Sequence, residues 1–97
     1  MNNAETTVPN IHDAVHHHRS GNLAEAERIY RAILAEQPDE SDANHLLGII
    51  LAGRRQYGES ETLIRSAIGI RETPEYYLTR IRSFRAIKGL YLKSFLR

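Results

Sequence analysis

Five histidines are the first side chains in this 97-residue chain that could do chemistry, three of them consecutive at His16, His17 and His18. His12 and His16 stand four apart, which on a helix puts both rings on one face. His45 lies on a later segment. Such imidazoles bind zinc when a third and fourth ligand join them. No His-Glu-x-x-His and no carboxylate–histidine spacing completes such a set, and the chain has no cysteine, which excludes thiolate sites and disulfides. The histidine run therefore reads as the polar end of a helix, with His17 half-packed in an aromatic slot, and neither metal nor cofactor is expected. Ser, His and Asp occur without a nucleophile elbow, a phosphate-cradling glycine loop or paired carboxylates in context, so no enzyme is expected. Tyr76-Tyr77 beside Arg80 has the chemistry to stack on bases, but helix packing is its expected role.

Formal net charge is +1, yet it is unevenly spread. Residues 1–73 carry 7 basic and 11 acidic side chains, a balance of −4, whereas residues 74–97 carry 6 and 1, a balance of +5. The N-terminus lacks a basic region followed by an apolar one, which argues against a signal peptide. The longest apolar run, "LLGIILAG", is far too short to span a bilayer. A cytoplasmic protein is expected.

The elements that must position these residues are helices. Leu23, Ala26, Ile29, Tyr30, Ile33 and Leu34 recur at helical spacing between Ser20-Gly21-Asn22 and Pro38, predicting a helix over 23–36. Asn22 and Glu25 approximate a capping box at its start. A shorter helix precedes it, starting near Thr7 or Val8 with Pro9 in its first turn and ending at Gly21. Asp39 is the expected cap of a third helix that runs to about Ala52. Gly53 and Gly58 bracket a loop, and a fourth helix ends near Arg71. Thr73-Pro74-Glu75 restarts winding with Thr as cap. The expected fold is all-α, with short connections that make neighbouring helices antiparallel.

Displaced by 34 residues, the sequence meets itself. Glu25, Glu27 and Arg31 fall on Glu59, Glu61 and Arg65. Ala26 falls on Ser60, and Tyr30 on Ile64. Small residues at 14, 26, 48, 60 and 67 let paired helices approach closely, while Tyr30 and Ile64 fill the space between one pair and the next.

These residues resemble the tetratricopeptide repeat family. Gly21, Ala26, Tyr30 and Pro38 match its second-half pattern in a first unit at about 7–38; a second at about 41–73 has the Leu-Gly pair at Leu47-Gly48, Ser60 as the small residue, Ile64 for the aromatic and Ala67 as the late alanine. The array wording also resembles those that precede bacterial glycosyltransferase domains of the O-linked N-acetylglucosamine transferase type, without the catalytic domain. The chain departs from the pattern at Asp13-Ala14, at Asn10 and Asn44 in place of tryptophan, at Glu72 in place of proline, and at Arg55 in place of the turn glycine, which predicts a shifted second turn.

The resemblance implies stacked antiparallel helix hairpins, two units plus a C-terminal helix, that act as a non-catalytic scaffold or adaptor. The partner would be a protein or peptide held in a concave groove built from each unit's first helix. The groove positions carry over onto Ile11, His12, Val15, His18 and Arg19 of the first unit and Asp42, His45, Leu46 and Ile49 of the second. Their mixed apolar, cationic and histidine character suits a short peptide with an acidic residue. Two units fall below the usual three, which predicts a partner, self-association into a homo-oligomer, or loose packing.

Residues 74–97 are expected to form a basic amphipathic helix, with Tyr77, Ile81, Phe84, Ile87, Tyr91 and Phe95 largely opposite Arg82, Arg85, Lys93 and Arg97 and Gly89 as a candidate interruption. It reads as a cap on the stack, ahead of a binding surface or a truncated third repeat read in a shifted frame. Nucleic acid and anionic membrane are the less favoured partners. The alternative function is a remnant of a larger repeat-containing glycosyltransferase with no activity of its own.

Overall fold

The computed structural model describes residues 9–82, and every regular element within them is a helix. The order is α1 (Ile11–Arg19), α2 (Leu23–Glu36), α3 (Ser41–Gly53) and α4 (Tyr57–Ile70). A fifth helix, α5, is described over 74–82. The expected start near Thr7 and Val8, and the tail residues Phe84, Arg85, Ile87, Gly89, Tyr91, Lys93, Phe95 and Arg97, lie outside the described residues. The protein is an all-α stack of antiparallel hairpins: α1 packs on α2, α3 on α4, and α2 on α3 joins the two.

Local chemistry sets the helix ends. Asn10 caps α1, its Oδ1 accepting from the His12 backbone N–H at 2.7 Å, so Pro9 precedes the helix instead of opening it. The expected capping box at α2 does not form. Asn22 makes no cap bond and lies 3.4 Å from His17 Nδ1, while Glu25 is taken by Arg28. Glu40 caps α3 in place of Asp39, because the helix starts at Ser41 and so puts Glu40 at the cap, where its carboxylate accepts from the Ala43 N–H at 2.8 Å. Gly53 and Gly58 lie inside α3 and α4, leaving only 54–56 as the loop. At α5, Thr73 Oγ1 accepts from the Tyr76 N–H at 3.2 Å, and Pro74 takes the first helical position.

The 34-residue period is written in the backbone. Helices α2 and α4 are both 14 residues long and begin 34 apart. Asn22 N–H donates to His17 O at 2.9 Å, and Gln56 N–H donates to Leu51 O at 2.9 Å. Gln37 N–H to Ile33 O is repeated by Arg71 N–H to Ala67 O. Gly21 sits at φ 85° and Arg55 at φ 65°, at equivalent places in the two turns. The second turn is therefore not shifted: Arg55 adopts the left-handed conformation that glycine supplies freely, at a cost of about 1–2 kcal/mol. The flanking helices fix the turn and impose it.

The core is one cluster of Ala14, Ala26, Ile29, Tyr30, Ile33, Ala43, Leu47, Ile50 and Leu51, edged by Ile11, Leu34, Leu46 and Leu63. The small residues do what their size allows. Gly48 lets α4 approach so closely that a Cβ there would lie 2.7 Å from Ile64 Cγ1. Ser60 Oγ donates to Gly48 O at 2.7 Å, satisfying a buried hydroxyl at the same crossing. On the outer side Arg31 joins Glu27 and Glu59, and Arg54 reaches Glu27. The Arg31–Glu59 and Arg54–Glu27 pairs tie the hairpins together, each contributing roughly 0–1 kcal/mol.

Candidate functional site

Helices α1 and α3 lie one period apart, and the space between them is a cleft of about 410 Å³. From α1 it is lined by Ile11, His12, Val15, His16 and Arg19, and from α3 by Asp42. The α1 spacing of one, three and four residues is that of a single helix face. The Asn10 cap fixes where this face starts. Ile11 and Val15 are half-buried and form an apolar strip, with His12, His16 and Arg19 exposed along it. Among the described residues Arg19 makes no ion pair.

The structure brings together five of the expected groove residues: Ile11, His12, Val15, Arg19 and Asp42. It adds His16, whose signal was present in the sequence as the i, i+4 partner of His12. The other four face elsewhere. His18 turns toward α2, its Nδ1 3.1 Å from the Tyr30 hydroxyl and its ring edge-on to the tyrosine at 5.9 Å. Burial holds the His18 pKa below its ordinary value and pushes Tyr30 up to about 12, with Asp42 adding to the effect. Leu46 packs at the edge of the core. Ile49 faces a second cavity, of about 160 Å³, shared with Ala52 of α3 and with Thr79 and Arg82 of α5.

His45 is buried beneath α5. Its ring lies 4.5 Å from that of Tyr76, tilted by 37°, and its Nε2 is 2.8 Å from Thr79 Oγ1. The Thr79 hydroxyl donates to Glu75 O at 2.9 Å. Its oxygen must then accept from His45, which places the imidazole proton on Nε2. Burial lowers the His45 pKa, outweighing the upward pull of Asp42 and Glu75. Beside it, Tyr76 is 1% exposed, and its hydroxyl donates to Asp42 Oδ1 at 2.6 Å. Arg71 donates to the same carboxylate oxygen and to the Tyr76 hydroxyl, each at 3.0 Å. Asp42–Tyr76 and His45–Thr79 are both pairs one period apart, so α5 rests on α3 in the repeat's own register.

The two ends of the cleft therefore differ electrostatically. Asp42 is compensated by Arg71 and by a hydroxyl donor, while Arg19 is unpaired among the described residues, so the cleft favours an anionic visitor at the α1 side. Among the described residues no three His, Asp or Glu side chains converge as a metal site, and no helix is long and apolar enough to cross a membrane. Comparison with known protein families, curated proteins and solved structures finds no match.

Proposed function

We propose that this protein is a non-catalytic protein-interaction module, a cytoplasmic scaffold or adaptor of the tetratricopeptide type, that holds a peptide or partner helix between its first helices. The cleft between α1 and α3 is the observation that carries this reading. It combines an apolar strip, Ile11 and Val15, with an exposed arginine at one end and a compensated carboxylate at the other. A short segment pairing one apolar with one acidic side chain complements it. Val15 and Arg19 lie outside the core cluster, and Ile11 borders it.

The test is selection of displayed peptides on the immobilised chain, followed by calorimetric titration of the winners. Val15→Glu and Arg19→Glu are each expected to weaken binding by roughly 10- to 100-fold, the loss of a well-placed contact residue. Arg65→Glu, on the exposed side of α4, leaves binding unchanged. Peptides that bind all three variants as they bind the native chain would place the interaction elsewhere. Failure to select any peptide would favour a truncated array without activity of its own.

A further inference from the structure

The face of α5 that points away from α3 is apolar and open. Tyr77, Leu78 and Ile81 are 40%, 53% and 50% exposed. One period earlier, Ala43, Asn44 and Leu47 occupy the equivalent positions of α3 and are buried, at 0%, 3% and 0%. Register alone therefore marks this as a face that is covered by other helices when it occurs within the stack. The place on α5 equivalent to Gly48 is not small. Arg82 stands 34 residues after Gly48, and at Gly48 even a methyl group would meet Ile64 at 2.7 Å. Any occupant must lie further out than a hairpin partner does.

The charges beside the strip select the occupant. Glu75 and Arg82 lie seven residues apart, two turns along one edge of the exposed strip, both exposed. Among the described residues neither side chain has an ion-pair partner. When two identical helices pair antiparallel, the same edge of each meets its counterpart, running in opposite directions. Glu75 of one copy then faces the partner's Arg82, and Arg82 faces the partner's Glu75, around a centre near Leu78. In a parallel pair these like-charged positions would lie level with one another.

We propose that two copies of this chain associate through the outward face of α5, antiparallel about a twofold axis, with Leu78 and Ile81 at the centre and two reciprocal Glu75–Arg82 pairs at the edges. The twofold makes the contact self-complementary and closed, so assembly stops at two. Its centre at Leu78 and Ile81 is on the side of α5 opposite Tyr76, with Arg82, which also borders the Ile49 cavity, at its edge, and it stands independently of what the α1–α3 cleft binds.

Sedimentation equilibrium or light scattering on the full chain, over micromolar to high-micromolar concentrations, tests this. The expected species is a dimer in exchange with monomer. Leu78→Glu should raise its dissociation constant on the order of 30-fold or more, as for a central interface residue. Leu78 is exposed in the monomer, so helicity and melting of the dissociated chain should not fall. Glu75→Arg and Arg82→Glu should each weaken the dimer roughly 3- to 10-fold, and the two together should restore it. A chain that stays monomeric throughout, a dimer indifferent to Leu78→Glu, masses beyond the dimer, or failure of the double reversal to restore association would each overturn the proposal.

Discussion

Replacing Gly48 by alanine sets two effects of comparable size against each other. In a helix interior, alanine is more favourable than glycine by about 0.8–1.0 kcal/mol. Against this, the new methyl would lie 2.7 Å from Ile64 Cγ1 and 3.3 Å from both Ile64 Cδ1 and Ser60 O. Carbon atoms prefer separations of roughly 3.5–4.0 Å, so α4 or Ile64 must move by several tenths of an ångström. Ile64 is fully buried, so its movement must displace packed neighbours. Overpacking of this kind costs about 1–3 kcal/mol. The net expectation for Gly48→Ala is a loss of roughly 0–2 kcal/mol, read as a lowered urea midpoint by circular dichroism with unchanged slope. The sign should reverse when the obstacle is removed. In an Ile64→Ala background, itself costing about 2–5 kcal/mol, Gly48→Ala should stabilise by about 1 kcal/mol. Sucrose in every arm keeps the weaker variants folded. A Gly48→Ala effect of equal size and sign in both backgrounds would refute the reasoning, because the close α3–α4 approach would then not be what demands glycine.

Two further outcomes follow from the turns and from α5. Arg55→Gly relieves the left-handed residue at φ 65° and should raise the midpoint by an equivalent of roughly 0.5–1 kcal/mol, after subtracting glycine's extra freedom in the unfolded chain; a lowered midpoint would count against this. The depressed His45 pKa gives stability a pH slope: below the ordinary value of 6.5 the unfolded chain takes up this proton before the folded one, so stability falls as pH falls through that region. His45→Gln, able to donate to Thr79 without titrating, should reduce the slope in pH-dependent urea melts, leaving the part that the likewise depressed His18 contributes; an unchanged slope would exclude His45 as a source.

How legible this was depends on how local each cause is. Helix α2 is read correctly at both ends because Asn22 and Pro38 stop it and its apolar residues keep one period. The hairpin stack follows from the same period. The caps are harder to read: Asp39 and Glu40 are adjacent acceptors, and only the residue at which α3 starts separates them. Arg55 misled because glycine preference is a local rule, while its turn is imposed by the helices on either side. In the candidate site, the α1 residues could be placed because one helix face arranges them. His18 and His45 could not, because their partners, Tyr30 and the pair Tyr76 and Thr79, are met only once the helices stack.

The hydrogen bonds from Tyr76 to Asp42 and from His45 to Thr79 each span 34 residues, and no described hydrogen bond spans more. The contact order of such a chain is low. No step of folding has to bring distant segments together before being rewarded, so the rate should belong with helical bundles instead of sheet proteins. The same geometry makes cooperativity weak at the edges. Helix α3 has neighbours on both sides and should exchange its amide hydrogens last. Helix α5 is held through a few polar groups and one tyrosine, and should open and close on its own while the rest of the stack stays folded.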